Sequence, residues 1–434
     1  MGKFNLSWTK YAPLEDEISI IDPLAFDYFA QLLGNVILPS FTTRTSRARY
    51  YSMVCYGIYI SKKYLEQQGK PYYQKDLLDT FKIYEKYWAR AIVEYYDGKL
   101  AERDGQEYDF RGKRGALKAY HQDLKSIGNE FKFLSRQLEL GGLGAYRTSM
   151  ESLELVDESL NLTHKGQKLA RSFVDSYYDK LVLEAIKSKK LVEKKGKGSL
   201  TSFGGHTCLD GFKLNDSNYH KEERELLGQY ILDNPKNVVS IDYIMKNYKS
   251  EDKLKTIEDI SKLEEKDLIK MDIIEGYKTV LAFERLAISF NRIWCFIIRE
   301  SETQFGNISL EQCAKICKDE LDYIFEEQLI NELITKKYYC EISKSYHGIF
   351  FRQFIENCLL KRDDYKEIIF ELVKYHNQIM KKRNTSSWIM MDKDNLIVTA
   401  GYNYPKKTEK LPYLHGYKLS NIMSLIEDTG WKGK

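Results

Sequence analysis

Seven prolines are spread over 434 residues. Proline breaks helices, because it lacks the N–H of the i→i−4 hydrogen bond and its ring clashes with the preceding turn. A chain this poor in proline meets few enforced breaks, and it is expected to be mainly α. Length allows two or three domains at roughly 150 residues each. Hydrophobic residues make up 43% and charged residues 30%, which excludes wholesale disorder, collagen-like repeats and low-complexity classes.

The apolar pattern divides the chain into four segments: 1–130, 131–235, 236–375 and 376–434. In the first, Asp22-Pro23 is an N-cap followed by the residue best suited to the first helical position. Leu24, Phe26, Phe29, Leu32 and Leu33 follow at helical spacing, with Gly34 as the expected end. Arg47–Leu65 and Tyr84–Tyr96 read as two further helices. In the second segment Leu153–Val156 and Leu160–Thr163 read as short strands, and Thr163 caps a helix from His164. Helix, two-stranded ribbon and helix are the parts of a winged helix-turn-helix, so a winged-helix-like module is expected near 115–180. A basic, glycine-rich run from Lys187 to Gly205 follows and reads as an exposed loop.

The third segment is acidic between Glu251 and Glu275, and long helices are expected at Val280–Arg299 and Leu310–Leu333. In the last segment, Ser387–Met391, a polar turn and Leu396–Ala400 form a strand-turn-strand signature. A closing helix over Ser420–Asp428 carries Ile422, Met423, Leu425 and Ile426 and is expected to dock.

Net charge is +4, from 67 basic and 63 acidic residues. That excludes a histone-like coat but leaves room for a local nucleic-acid face. The strongest candidate is Phe41–Tyr51, where Arg44, Arg47 and Arg49 are interleaved with Thr42, Thr43, Thr45 and Ser46. Arginine forks and hydroxyls contact phosphates, and the tyrosines that follow can stack on bases. With Ser46 as a helix cap, free backbone N–H groups would add to an anion site. The competing reading pairs these arginines internally with Glu15, Asp16, Glu17 and Asp22.

A second cluster is Arg111, Lys113 and Arg114, continued by Lys118, His121 and Lys125. Positions 111, 114, 118, 121 and 125 share one helical face, which suits phosphate tracking. The acidic run Glu102, Asp104, Glu107 and Asp109 just before it equally suits a solvated face. The third candidate is the wing and its helix: Arg147, His164, Lys165 and Lys168.

No catalytic residue, cofactor or metal is expected. The chain lacks Gly-x-Ser-x-Gly, His-Glu-x-x-His and a P-loop. Gly141-Gly142-Leu143-Gly144 has the wrong spacing and context for a dinucleotide fingerprint. Cys313 and Cys317 share a helical face but sit in an apolar pattern, and His206, Cys208 and His220 form only a loose group. The seven cysteines, odd in number and scattered through apolar stretches, read as reduced thiols in a cytosolic protein. The first residues carry no apolar signal core, and no stretch reaches the length needed to span a bilayer, so a cytoplasmic protein is expected.

Three stretches together resemble a known group. They are Asp22-Pro23-Leu24 with Leu38-Pro39 and Thr43–Tyr50; Gly141–Tyr146 with Leu155-Val156 and Leu162-Thr163-x-x-Gly166; and Trp388 with Leu396–Val398 and His415–Leu419. The combination resembles bacterial proteins encoded in anti-phage defence loci beside helicases or nucleases. The resemblance implies a setting, with other subunits of a defence complex as partners, and no reaction. The expected function is a non-enzymatic DNA-binding or scaffold subunit of such a complex, with RNA as the alternative ligand. A divergent metal-dependent nuclease and a pure protein-protein interaction subunit remain the alternatives.

Overall fold

The computed structural model describes residues 22–69, 71–100, 110–192, 198–210, 220–304, 306–399 and 415–433. Its helices are, in chain order, α1 (Phe26–Ile37), α2 (Arg49–Gln67), α3 (Gln74–Tyr95), α4 (Lys113–His121), α5 (Gln137–Leu140), α6 (Gly142–Ser152), α7 (His164–Phe173), α8 (Tyr178–Ser188), α9 (Leu200–Thr207), α10 (Lys221–Leu227), α11 (Val238–Asn247), α12 (Lys253–Ser261), α13 (Leu268–Thr303), α14 (Leu310–Ile316), α15 (Lys318–Glu326), α16 (Leu329–Ile334), α17 (Tyr339–Ser343), α18 (Gly348–Leu360), α19 (Tyr365–Lys382) and α20 (Leu419–Thr429). The protein is mainly helical, with one small antiparallel sheet. The described residues fall into two compact units. The larger is drawn from Ile37–Thr256 and Lys418–Lys434, the smaller from Met1–Val36 and Ile257–Tyr417.

In the larger unit α2 is the central helix. Its residues from Arg49 to Ile58 are buried on every face, the pattern of a helix enclosed by others rather than laid on a surface. It packs against α3, α6, α7 and α8. Tyr50 stacks on Tyr146 of α6 with ring centroids 4.9 Å apart. Helix α9 lies against α3 and approaches so closely that a Cβ on Gly204 would stand 1.9 Å from the Ala91 carbonyl oxygen. Docking of α20 is confirmed by the burial of Ile422, Leu425 and Ile426.

The expected two-stranded ribbon is not formed. Leu153 and Leu155 instead close the end of α6 by backbone bonds to Ser149 and Met150, and only one antiparallel bridge, Val156 to Leu162, is left. The Asp157 carboxylate makes the reversal by accepting from the Ser159 and Asn161 N–H groups. Asp and Asn side chains compete in this way with strand pairing. Thr163 does cap the next helix, its hydroxyl accepting from Gly166 N at 3.3 Å.

In the smaller unit Asp22 takes the Leu24 and Asp27 N–H groups ahead of α1. That helix runs past Gly34 to Ile37. The expected helix at Val280–Arg299 is the middle of α13, 36 residues long. Asp267 starts it by accepting from the Ile269 and Lys270 N–H groups. The expected Leu310–Leu333 helix is broken into α14, α15 and α16. Gln328 between the last two adopts the left-handed region with φ of 52°. The hairpin is present as β2 (Ile389–Asp392) and β3 (Asn395–Val398). A third strand, β1 (Asn307–Ser309), joins the other side of β3, giving the order β1-β3-β2.

Two histidines clamp this unit. His376 accepts from Trp388 N at Nε2, 3.0 Å away, so Nδ1 carries the proton and donates to Pro23 O at 2.9 Å. Burial pushes its pKa down to about 4, so the ring is neutral. His415 bonds Glu284 through Nδ1 at 2.8 Å and faces Asp27 through Nε2 at 3.2 Å. Burial alone would lower its pKa, but hydrogen bonds and attraction from Asp27 and Glu284 outweigh that and lift it to about 10. Tyr417 also donates to Glu284, at 2.5 Å.

Candidate nucleic-acid interface

All the candidate basic residues lie in the larger unit, and they separate into internal and surface groups. Helix α2 begins at Arg49, so Ser46 is not its cap. The Asp428 carboxylate of α20 accepts from Ala48 N at 2.9 Å and from Arg47 Nε at 3.0 Å. The anion expected at this helix start is therefore a side chain of the protein itself. Arg47 also donates to Asp210 and to Leu209 O.

Arg49 is wholly buried. It grips Glu223 with Nε at 3.2 Å and Nη2 at 2.8 Å. Its Nη1 donates to the carbonyls of His206 and Cys208 at 3.1 and 2.5 Å. Burial would raise the Glu223 pKa, but the Arg49 charge and hydrogen bonds from His220 and Arg49 hold it below the usual value. Burial, with the Arg49 charge nearby, pushes His206 down to about 3, so its ring is neutral. Internal pairing is thus the state of Arg47 and Arg49. Their partners are Asp210, Asp428 and Glu223; Asp22 is engaged elsewhere, and Glu15, Asp16 and Glu17 lie outside the described residues. The loose group His206, Cys208 and His220 surrounds the Arg49 guanidinium. Among the described residues no cluster of three His, Cys, Asp or Glu side chains could hold a metal ion.

Arg44 and Arg111, far apart in sequence, meet at the surface. Arg111 Nη2 donates to Arg44 O at 3.0 Å and its Nη1 to Leu140 O at 3.2 Å. Arg44 Nη1 reaches Glu139 O at 3.4 Å. Both guanidinium groups thus rest on the carbonyl end of α5, a position that favours cations. Neither forms an ion pair with a carboxylate among the described residues, although the Arg111 charge acts on the buried Glu85. Gly112, at φ of 83°, turns the chain directly from Arg111 into α4. That helix contains no acidic residue. Ala116 and Ala119 face inward, while Arg114, Lys118 and His121 are exposed one and two turns apart. Lys113 is half-buried. Lys125 lies beyond the helix, 3.0 Å from Asp123. Glu102, Asp104, Glu107 and Asp109 lie outside the described residues, as do Lys194, Lys195 and Lys197 of the second basic run.

The third group is mixed. Arg147 is held by Glu151 at 2.7 Å and by Glu158 O at 2.9 Å, and Lys165 pairs with Glu154 at 2.9 Å. His164 and Lys168 are exposed on α7. Arg171, which the sequence reading passed over, completes the same face at i, i+4 and i+7; the helical spacing was the signal. Helix α7, like α4, carries no acidic residue.

The Gly141-Gly142 pair has a structural use. Its backbone leaves room for the buried Glu85 carboxylate, which accepts from Gly142 N at 2.5 Å and caps α6. Burial raises the Glu85 pKa to about 7. Cys313 and Cys317 are buried thiols in the core, in no disulfide. No helix among the described residues is long and apolar enough to cross a membrane. No protein-family model, curated protein or solved structure matches the chain.

Proposed function

We propose that the protein is a non-enzymatic DNA-binding subunit whose phosphate contacts come from Arg44, Arg111, Arg114 and Lys118, with His164 and Lys168 as a second group. The observation that carries this reading is the junction of Arg44 and Arg111 on backbone carbonyls, continued by the acid-free exposed face of α4. A guanidinium held by neutral carbonyls keeps its charge available, and a helical row of cations follows phosphates along a strand. No wing is needed, because phosphate contacts position a protein on DNA without reading bases. Arg47, Arg49, Arg147 and Lys165 take no part, since carboxylates already hold them. The resemblance to proteins of anti-phage defence loci supplies the setting, a complex with other subunits. The internal pairing of two of the three arginines in Phe41–Tyr51 favours a second reading, in which the protein joins that complex through protein contacts alone.

The test is fluorescence anisotropy of labelled duplex and single-stranded DNA at two salt concentrations. Replacing Arg44, Arg114 and Lys118 together by Ala should weaken binding. It should also reduce the slope of log K against log[salt] by roughly 0.9 per lost duplex contact. Affinity and slope equal to the parent protein would overturn the assignment, and absence of binding at low salt would favour the protein-contact reading.

A further inference from the structure

A groove of about 490 Å³ opens beside α7, on the larger unit. Helix α2 contributes Tyr59, Lys62 and Glu66, and α7 contributes Gln167 and Arg171. Leu162, on the chain entering α7, closes one end. This volume lies within the range of small-ligand sites, and the lining is mostly polar and charged, with Tyr59 and Leu162 supplying the aromatic and apolar surface.

The cations of the groove differ in how they are engaged. Lys63 is committed to Asp179 at 2.6 Å and lies over the Tyr59 ring. Lys62 donates to a neutral acceptor, Asn161 Oδ1, at 2.5 Å. The Asp157 and Glu66 charges flank it, and burial nonetheless lowers its pKa. Arg171 has no hydrogen bond or ion pair among the described residues, so its planar fork is open for two parallel bonds to an oxyanion. Beside these charges stand the Tyr59 ring, the Leu162 side chain and the Gln167 amide. A ring and an apolar side chain accommodate a planar base, and the Gln167 amide, which donates one N–H to Leu162 O at 3.4 Å, keeps its oxygen and second N–H for a base edge. His164 and Lys168 extend the row from Arg171 along the exposed face of α7, a path for a phosphate chain leaving the groove.

We propose that this groove binds one nucleotide, with Arg171 and Lys62 on the phosphate and Tyr59, Leu162 and Gln167 around the base. The nucleotide is either a free mononucleotide or an unpaired residue of a single strand. This site is separate from the Arg44–Arg111 surface; it shares His164 and Lys168 with the second group of proposed DNA contacts, but rests on Arg171 and Lys62, which that reading does not use.

The experiment uses the full chain, with calorimetric titration of adenosine 5′-monophosphate and of inorganic phosphate, and anisotropy of a labelled short oligodeoxythymidine and of a duplex. Arg171→Gln and Lys62→Gln should each weaken the nucleotide-bearing ligand by at least about tenfold, equivalent to 1.4 kcal/mol. Arg171→Lys should lose part of that affinity. Thermal midpoints equal to the parent protein show that the variants fold. Binding of the monophosphate lost in these variants identifies a free nucleotide. Binding of the oligonucleotide alone, with the same loss, identifies an unpaired residue. Duplex binding that depends on Arg44 but not on Arg171 separates this site from the proposed DNA surface. The proposal is overturned if neither nucleotide ligand binds, if both variants bind like the parent, or if inorganic phosphate binds as tightly as the monophosphate.

Discussion

Replacing Arg49 by Met distinguishes a buried structural ion pair from a phosphate contact. The substitution removes a guanidinium that makes two bonds to Glu223 and one each to the carbonyls of His206 and Cys208. What remains is a carboxylate with no exposed surface, and His220 Nδ1 at 3.4 Å is a poor substitute. Removing one partner of such a pair costs about 3–5 kcal/mol, because the other is left as an uncompensated buried charge. For a unit of this size each kcal/mol moves the thermal midpoint by about 2–4 °C, so the expected fall is roughly 6–20 °C. Changing Glu223 to Met as well removes the stranded charge. The double variant should then recover the part of the loss that the stranded charge causes, while the carbonyls of His206 and Cys208 stay without their donor in the single and the double variant alike. Midpoints of the parent, both single variants and the double variant, from thermal melts followed by circular dichroism, close the cycle. Anisotropy on the folded variants completes the test. An Arg49→Met protein as stable as the parent but deficient in DNA binding would refute the burial argument.

The two buried neutral histidines predict an acid-side loss of stability. The pKa is about 4 for His376 and about 3 for His206, both depressed below 6.5, so between these values the unfolded chain binds more protons. Stability should therefore fall as pH drops below about 6.5, by an upper bound of about 3 kcal/mol for His376, whose pKa falls to about 4 on folding; an unchanged midpoint between pH 7 and 5 would contradict this. His415 has the opposite sign. Its pKa is raised to about 10, so its contribution is complete below 6.5 and is lost as pH rises through 10. His415→Gln should thus be most destabilising near neutrality and converge on the parent at the alkaline end, as melts across that range would show. Gly204→Ala should cost at least about 1–3 kcal/mol by overpacking, since the added methyl would meet the Ala91 carbonyl; a midpoint equal to the parent would show that α9 can shift from α3.

Local chemistry made much of the secondary structure legible. Thr163 and the turn after Asp392 lie where the sequence places a cap and a reversal, because each acts on backbone within a few residues of itself; Asp22 accepts from the Leu24 and Asp27 N–H groups, but α1 starts at Phe26 rather than at Pro23, after Ala25 in the left-handed region. Low proline and helical spacing of apolar residues set the helical class for the same reason. The row Arg114, Lys118 and His121 was also readable, since side chains three and four apart share a helix face. The errors have one physical origin. Leu153–Val156 has the composition of a strand, yet two sequence-local competitors, the end of α6 and the Asp157 turn, claimed its backbone. Leu310–Leu333 is apolar at helical spacing, but breaks at Cys317 and Gln328 divide it into three helices.

The site shows the boundary most sharply. The sequence alone determined that arginines and hydroxyls crowd Phe41–Tyr51 and that cations recur on α4 and α7. Only the tertiary structure decided which of them are free. Arg49 meets Glu223 across 174 residues and Arg47 meets Asp428 across 381, while Arg44 and Arg111 meet each other on the carbonyls of α5. The sign and spacing of charges are local properties of a chain. Whether a charge faces water or a buried carboxylate depends on which distant segment packs over it, and spacing along the sequence does not carry that information.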